Sequence, residues 1–262
     1  MPEPSDTPLR LTHVGGPTLL IEAAGLRILT DPTFDPPGRR YGFGWGTSSR
    51  KLAGPALDPE ELGPIDAVLL SHDHHADNLD DRGRALLSGV GTVVTTLPGA
   101  RRLGGGALGL APWASTRIGD VGVDVGVTAT PCRHGPPLSR PVAGAVIGFA
   151  LALPDGVLWI SGDTVPFRGT REVVRRLTVD VAVLHLGRVR FPVTGPLRYS
   201  MSGEQAVATC RALRPRVVVP VHYEGWSHFR EGRAEVERAF AAAPDVRDRV
   251  RWLRPGEVTV VD

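Results

Sequence analysis

The residues with the most evident chemistry lie in segment 71–78, SHDHHADN, which directly follows the apolar run IDAVLL of residues 65–70. Three of the chain's eight histidines and two aspartates fall within six residues of this segment. Imidazole and carboxylate groups together suit Zn²⁺, and also Fe or Mn where carboxylates are plentiful. The alternative is a polar turn that caps the next helix, but histidines clustered at the end of a buried strand favour a metal site. The candidate ligands in this segment are His72, His74, His75 and Asp77.

Three more candidate residues follow other strand-like runs. His134 comes soon after the run that ends at Thr130, Asp163 follows VLWIS (157–161), and His222 follows RVVVPV (216–221). Taken singly, each has a structural explanation, as a packed or surface histidine or as a simple turn. Because all of them share the position of segment 71–78, at the end of a strand, we interpret them as parts of one site.

Two further residues near these motifs are interpreted more plainly. Cys132 precedes His134 by two positions, but the sequence offers it no paired base, so we predict a buried and inert thiol rather than a nucleophile. His228 follows His222 in a loop, and we predict that it lies on the surface.

The predicted elements alternate between apolar strands and amphipathic helices. Asp80 or Asp81 is predicted to cap a short helix, Thr170 to precede a second helix, and Ser202 with Gln205 to form a capping box. The predicted strands are residues 18–22, 26–30, 67–70, 92–96, 121–127, 145–153, 157–161, 179–186, 216–221 and 257–261. Two sheets packed together with helices outside fit this order better than one parallel sheet. The glycine- and proline-rich segment 31–64 is predicted to be either a wall of the active site or loosely ordered.

Composition narrows the classes of function. A chain of 262 residues with a formal net charge of +2 has room for a sizeable core, and it lacks the dense basic run that nucleic-acid binding would require. Two distant cysteines indicate a reducing compartment. The polar N-terminus has no secretory pattern and no apolar stretch is long enough to span a membrane, so we predict a cytoplasmic protein.

The order of these motifs resembles the metallo-β-lactamase superfamily. The resemblance covers the chain from about Leu11 onward, and it is carried by ILTDP (28–32), AVLLSHDH (67–74), SGDT (161–164) and the SGEQAV helix before VVVPVHYEGW (217–226). These segments are similar to one branch, that of ascorbate-6-phosphate lactonase and N-acyl-phosphatidylethanolamine phospholipase D. The resemblance implies an α+β fold, a four-layer αββα sandwich, with residues 1–10 as a flexible N-terminus and residues 11–262 as a single domain.

The resemblance also implies roles for the candidate residues. The family pattern His-x-His-x-Asp-His fits His72 and Asp77, while His74 and His75 compete for one position because this sequence has one extra residue. Asn78 stands where the last histidine of the pattern would be, which leaves open a single cation or an uneven pair. The resemblance further implies the following roles: His134 as the third histidine of the first cation, Asp163 as a bridging carboxylate, His222 as a ligand of the second cation, and Asp31 as a support for a ligand.

The expected activity is that of a metallo-hydrolase acting on an ester, lactone or phosphodiester bond of a small molecule, with one or two Zn²⁺ ions, or Mn²⁺ or Fe. Asp77 or Asp163 is expected to accept a proton from the attacking water. His185 is expected to act as a substrate contact or secondary acid, and Arg188 and Arg190 to hold an anionic group, unless they form a solvated loop. Two alternatives remain, an iron-dependent redox enzyme of the same fold and a non-catalytic binding protein. No nucleic-acid partner is expected, and a homo-oligomer is possible.

Overall fold

The computed structural model describes residues 8–120 and 123–261, and these ranges form two large sheets, a small hairpin sheet and short helices around them. The strands are β1 (Leu9–Gly15), β2 (Thr18–Ala23), β3 (Leu26–Thr30), β4 (Arg40–Gly44), β5 (Thr47–Arg50), β6 (Ala67–Leu69), β7 (Thr92–Thr96), β8 (Leu108–Leu110), β9 (Ser115–Asp120), β10 (Val123–Pro131), β11 (Ile147–Leu153), β12 (Gly156–Ile160), β13 (Val181–His185), β14 (Val217–Val221) and β15 (Val258–Val261). The helices are α1 (Asp81–Leu86), α2 (Leu97–Leu103), α3 (Arg140–Ala143), α4 (Arg168–Arg176), α5 (Gly203–Leu213), α6 (Arg233–Ala241) and α7 (Pro244–Arg247).

The first large sheet has the strand order β15-β1-β2-β3-β6-β7-β8. Its strands β3, β6, β7 and β8 run parallel to one another, whereas β15, β1, β2 and β3 pair antiparallel. The second large sheet has the order β14-β13-β12-β11-β10-β9, in which β12, β13 and β14 are parallel. Since β10 and β12 are each antiparallel to β11, the carboxyl ends of β10, β12, β13 and β14 lie at one edge of this sheet.

The core divides into layers according to the alternation of side chains along the strands. Between the sheets, inner-face residues such as Ile28, Leu69 and Phe149 form one apolar cluster. The outer face of the second sheet, with Trp159 among its residues, packs on the helices that follow it, including Phe240 of α6. The outer face of the first sheet is covered by a third apolar cluster. The predicted α+β fold, a four-layer αββα sandwich, is confirmed.

Most predicted elements are present, with shifted boundaries. The capping box is confirmed, because the Gln205 amide donates to Ser202 Oγ at 3.3 Å and the Ser202 amide donates to Gln205 Oε1 at 3.1 Å. The helix predicted to follow Thr170 is α4, which begins at Arg168, so Thr170 lies inside it. Strands β1, β4, β5, β8 and β9 were not predicted.

Some predictions fall partly outside the described residues. Of the strand predicted over residues 121–127, residues 121 and 122 lie outside the described ranges, and the strand then continues to Pro131. Of the predicted flexible segment 1–10, residues 1–7 lie outside the described ranges, and Leu9 already belongs to β1. Within the described ranges, no helix combines the length and apolar character that crossing a bilayer demands.

Asp80 connects segment 31–64 to the first sheet. Its Oδ1 accepts from the amides of Gly83, as the N-cap of α1, and of Phe34, both at 2.9 Å. Its Oδ2 accepts from the amide of Asp35 and from Lys51 Nζ, both at 2.7 Å. The Asp80 and Lys51 side chains are buried, so removing one would leave an uncompensated charge in the interior. Segment 31–64 is therefore ordered by buried polar contacts rather than loose.

We predict that Asp80→Ala lowers the free energy of unfolding by about 3–5 kcal/mol. The substitution leaves the buried Lys51 ammonium without its carboxylate partner and removes the N-cap of α1. Urea denaturation followed by circular dichroism measures this change. Asp245→Ala is the matched control, since it removes an exposed ion pair with Arg211 and should cost only a small fraction of that amount. Equal losses in the two variants would contradict the role assigned to Asp80.

Candidate metal centre

The candidate residues converge where parallel strands of both sheets end. Asp31 follows β3, segment 71–78 follows β6, and Asp163 follows β12. His185 is the last residue of β13, and His222 comes directly after β14. Two backbone hydrogen bonds join the sheets at this edge, from the Ile147 amide to the Ser71 carbonyl and from the His222 amide to the Gly16 carbonyl. The side chains of two separate sheets therefore face a common space.

Backbone conformations at this edge are ones that most residues avoid. Asp31 has φ of 33° and His222 has φ of 57°, both in the left-handed region. Gly162, with φ of 59°, lies so close to Ile147 that a Cβ would come within 2.6 Å of its carbonyl oxygen. Such strain tends to be retained at functional sites, where the surrounding structure enforces it.

The buried carboxyl group of Asp31 holds the start of segment 71–78. Its Oδ1 accepts from the Ser71 amide at 2.7 Å. Burial raises the pKa of Asp31 to about 8, against the lowering effect of this hydrogen bond. Asp31 thus holds the turn that carries the histidines, and its role beside metal ligands stays a prediction.

A first group of possible ligands consists of His72, His75 and His134. One ring nitrogen from each lies within 4.8 Å of the others, and His72 Nε2 is 3.2 Å from His75 Nδ1. The His134 ring is oriented by its Nδ1, which donates to the Tyr199 carbonyl at 2.7 Å. Burial, together with the neighbouring imidazoles, lowers the pKa of His75 to about 3 and that of His72 well below its usual value. Neutral imidazoles are the form that coordinates a cation.

His74 lies outside this group and points elsewhere. Its Nε2 donates to the Ala143 carbonyl at 2.8 Å, at the end of α3. The next residue, Gly144, has φ of 70°, and a Cβ there would come within 2.1 Å of the His74 ring. Of the two histidines that competed for one position in the sequence, the geometry brings His75 together with His72 and His134.

A second group consists of Asp163, His185 and His222, all fully buried. His185 Nδ1 donates to Asp163 Oδ1 at 3.0 Å, and His222 Nδ1 lies 3.2 Å from the same oxygen. Burial acts to raise the pKa of Asp163, but the adjacent imidazoles outweigh it and lower that pKa, so the carboxylate is ionised. Burial acts to lower the pKa of His222, but Asp163 and Asp77 outweigh it and raise that pKa.

Asp77 lies beside the second group and has a partner that the sequence did not predict. Its Oδ2 is 3.5 Å from His222 Nε2 and accepts from His228 Nε2 at 3.1 Å. The prediction that His228 lies on the surface is wrong, since the side chain is 3% exposed. His228 Nδ1 accepts from Ser49 Oγ at 2.6 Å, and its ring is stacked on Phe191. Its proximity to the apolar Trp226 was the only sequence signal for burial.

The donor atoms at this edge are suited to a bound cation. Several buried atoms have no hydrogen-bond partner within the described part of the chain: Asp77 Oδ1, Asn78 Oδ1, Asp163 Oδ2, His185 Nε2, His222 Nδ1 and His222 Nε2. Leaving a buried polar group unpaired costs about 1–3 kcal/mol, and more for a charged one. Nitrogen and carboxylate donors in this number match Zn²⁺ and related divalent ions.

Aromatic residues cover the first group and Asp77. Phe43 of the β4–β5 hairpin, with Phe191 and Tyr199 of the segment after β13, lines a narrow space of about 20 Å³ beside His75 and His134. A larger cavity of about 440 Å³ lies along the other side of His134, between the start of α2 and residues 144–147. Segment 31–64 thus contributes a wall of the site, which is one of the two alternatives that the sequence left open.

The remaining predicted residues are placed differently. Arg188 Nη1 donates to Glu231 at 3.0 Å, and Arg190 Nη2 donates to the Gly195 carbonyl at 3.2 Å. Neither arginine lines either of the two cavities beside the histidines, whereas Val189, which lies between them in the sequence, lines the smaller one. Cys132 is half-buried rather than fully buried, and its Sγ donates to the Ser161 carbonyl at 2.8 Å. Desolvation raises the pKa of this thiol well above its usual value, which fits an unreactive residue.

Known proteins resemble this chain over most of its length. Residues 26–223 match the model of the β-lactamase superfamily domain. A protein of Pyrobaculum calidifontis named a UPF0173 metal-dependent hydrolase is 28% identical over 258 residues, which cover 95% of this chain and 99% of that protein.

Solved structures show the same fold at lower identity. The isothiocyanate hydrolase from Delia radicum gut bacteria has a TM-score of 0.79 and 22% identity, covering 97% of this chain and 99% of that one. A possible metal-dependent hydrolase from Veillonella parvula has a TM-score of 0.81 and 17% identity, covering 97% of this chain and all of that one. With a family match that spans most of its residues, the chain belongs to the metallo-β-lactamase superfamily.

Proposed function

We propose that this protein is a metal-dependent hydrolase that holds two divalent cations, with zinc as the first candidate. The observation that carries the proposal is the pair of buried three-residue groups, His72–His75–His134 and Asp163–His185–His222, at one strand edge. The name of the Pyrobaculum calidifontis relative, a metal-dependent hydrolase, supports the same reaction class.

The two groups divide the ligands between the cations. We assign the first cation to His72, His75 and His134. The second goes to Asp163, His185 and His222, so that His185 supplies the nitrogen donor that the family pattern has at the position of Asn78. Asp163 Oδ2 has no hydrogen-bond partner among the described residues and would be available to the cations, and Asp77 remains a further candidate ligand of the second. His74 receives no such role because it belongs to neither group of converging donor atoms, and its Nε2 donates to the Ala143 carbonyl.

Asp77 is our candidate for the general base. Burial acts to raise the pKa of Asp77, but the adjacent imidazoles of His222 and His228 outweigh it and lower that pKa, so the carboxylate is ionised. Its Oδ1 has no hydrogen-bond partner and can accept a proton from an attacking water. A divalent cation in such a site polarises the substrate's oxygen and lowers the pKa of water from 15.7 to about 7.

We propose an ester, lactone or phosphodiester of a small molecule as the substrate. The lactone and the phosphodiester follow from the motifs shared with the branch of ascorbate-6-phosphate lactonase and N-acyl-phosphatidylethanolamine phospholipase D. The test is a turnover screen of the three bond types with protein purified without chelators. Oxygen uptake by iron-loaded protein without hydrolysis of any of them would favour the redox alternative.

The metal content tests the division of ligands. We expect close to two equivalents of metal per chain in the wild type and close to one in His185→Ala, because that variant removes a nitrogen donor of the second group. His74→Ala should retain close to two equivalents, since the His74 ring donates to the Ala143 carbonyl and belongs to neither group. Elemental analysis of the purified proteins measures this, with circular dichroism to verify folding. Loss of one equivalent in His74→Ala with none in His185→Ala would reverse the assignment.

Two neighbouring aspartates test the general base. We expect Asp77→Asn to lower kcat by about 10²–10⁴-fold, as loss of a positioned base does. Asp73→Asn is the matched control, because the Asp73 carboxylate accepts from Arg102 at 2.8 and 2.5 Å and faces away from the cation groups. It should change kcat by less than about threefold. Steady-state kinetics on the best substrate of the screen, with metal content measured in parallel, decides between the two carboxylates.

His228 should act by positioning Asp77. His228→Phe keeps an aromatic ring between Phe43 and Phe191 but cannot donate to Asp77, and we expect kcat to fall by about 10–100-fold, the cost typical of removing a ligand's supporting hydrogen bond. Ser49→Ala leaves that donor in place and should have a smaller effect. Steady-state kinetics measure kcat for both variants, and the urea denaturation midpoint of each shows whether it is folded. Equal losses of kcat in His228→Phe and Ser49→Ala would refute this role.

A further inference from the structure

The cavity of about 440 Å³ beside His134 is large enough for a small molecule. The narrow space of about 20 Å³ under Phe43 has room for roughly one water. His134 lines both, so a ligand in the larger cavity lies against the first cation group. The larger cavity is therefore where a substrate body would be bound.

The lining of this cavity is mostly apolar, and its charged side chains are all of one sign. Apolar surface comes from Leu97 and Pro98 of α2, from Val146 and Ile147 at the start of β11, and from Phe167, while Thr96, Ser139 and His134 add uncharged polar groups. Arg133 and Arg140 line it as well, and among the described residues no aspartate or glutamate does. The charge of the cavity is therefore complementary to an anion attached to an apolar body.

Arg133 is held in a fixed position at the wall of the cavity. Its amide donates to Thr164 Oγ1 at 3.0 Å, and its carbonyl accepts from the Val165 amide at 3.0 Å. The guanidinium lies over the Phe167 ring at 5.1 Å, and one Nη donates to the Pro166 carbonyl. Its buried Nε has no hydrogen-bond partner, and the described residues provide no carboxylate that pairs with it.

We propose that this cavity binds an amphipathic anion, a carboxylate or phosphate group carried on an apolar acyl or aryl body, with Arg133 as the contact for the anionic group. A rigid guanidinium with a spare N–H favours planar or tetrahedral oxyanions over neutral groups. Arg140 is exposed, so its charge is screened by solvent and salt and discriminates less. The binding of such an anion does not depend on the proposed function. Only its identification as the substrate rests on that function.

Binding tests the proposal without turnover. Calorimetric titration of the metal-loaded protein compares 4-phenylbutyrate and 3-phenylpropylphosphonate with the neutral 4-phenylbutanamide. We expect the better anion to bind about 10–100-fold more tightly than the amide, as one charge-assisted hydrogen bond allows. The order of the two anions tells whether the site favours carboxylate or phosphate. Equal affinity for the anions and the amide would overturn the proposal.

Three arginine variants separate Arg133 from the cations, which also attract anions. Arg133→Gln should remove at least about tenfold of the preference at unchanged metal content. Arg133→Lys should keep part of it and guards against a folding defect, and Arg140→Gln should change it by less than about threefold. If Arg133→Gln still bound the anions over the amide as strongly as the wild type does, the cations would be the group that attracts the anion. That result would refute the role of Arg133. Because only binding is measured, these outcomes stand whether or not hydrolysis is found.

Discussion

The structure depends on burying nitrogen and carboxylate donors that find no partner among the described residues. Within that part of the chain, Asp163 Oδ2, His185 Nε2 and both ring nitrogens of His222 are buried without hydrogen bonds. Each such atom opposes folding, so the two sheets must hold it in place by other contacts. The Asp31–Ser71 hydrogen bond holds the start of segment 71–78, and the Tyr199 carbonyl holds the His134 ring of the first group. A cation that satisfies the free donors would stabilise the folded chain as it binds.

The sequence was sufficient to predict the fold and the edge at which the candidate residues meet. Apolar runs that end in histidine or aspartate predicted strand ends, and parallel pairing of those strands brings their ends together. The choice between His74 and His75 could not be predicted, because it depends on the approach of Gly144 to the His74 ring across 70 residues of chain. His228 was missed for a related reason. Its burial comes from Phe43 and Phe191, which belong to distant segments.

The position of Asn78 bears on how the candidate ligands are divided. In the motif that segment 71–78 resembles, an imidazole stands at this position, while in this chain a histidine at the end of β13 donates to Asp163. A strand end is fixed by its ladder on both sides, whereas a turn is fixed by fewer contacts. Under the proposed assignment, part of the second cation's support has thus moved from segment 71–78 to the second sheet, and the two sheets share that ion more evenly.

The contact between Lys51 and Asp80 has a practical consequence. Lys51 is the chain's sole lysine, and its ammonium group is enclosed, 3% exposed, against a carboxylate. The folded surface therefore offers acylating or cross-linking reagents no lysine side chain, so such reagents are directed to the α-amino group. Modification of Lys51 would then report transient opening of segment 31–64. The Lys51 amine is thus an intrinsic probe of the segment that forms a wall of the site.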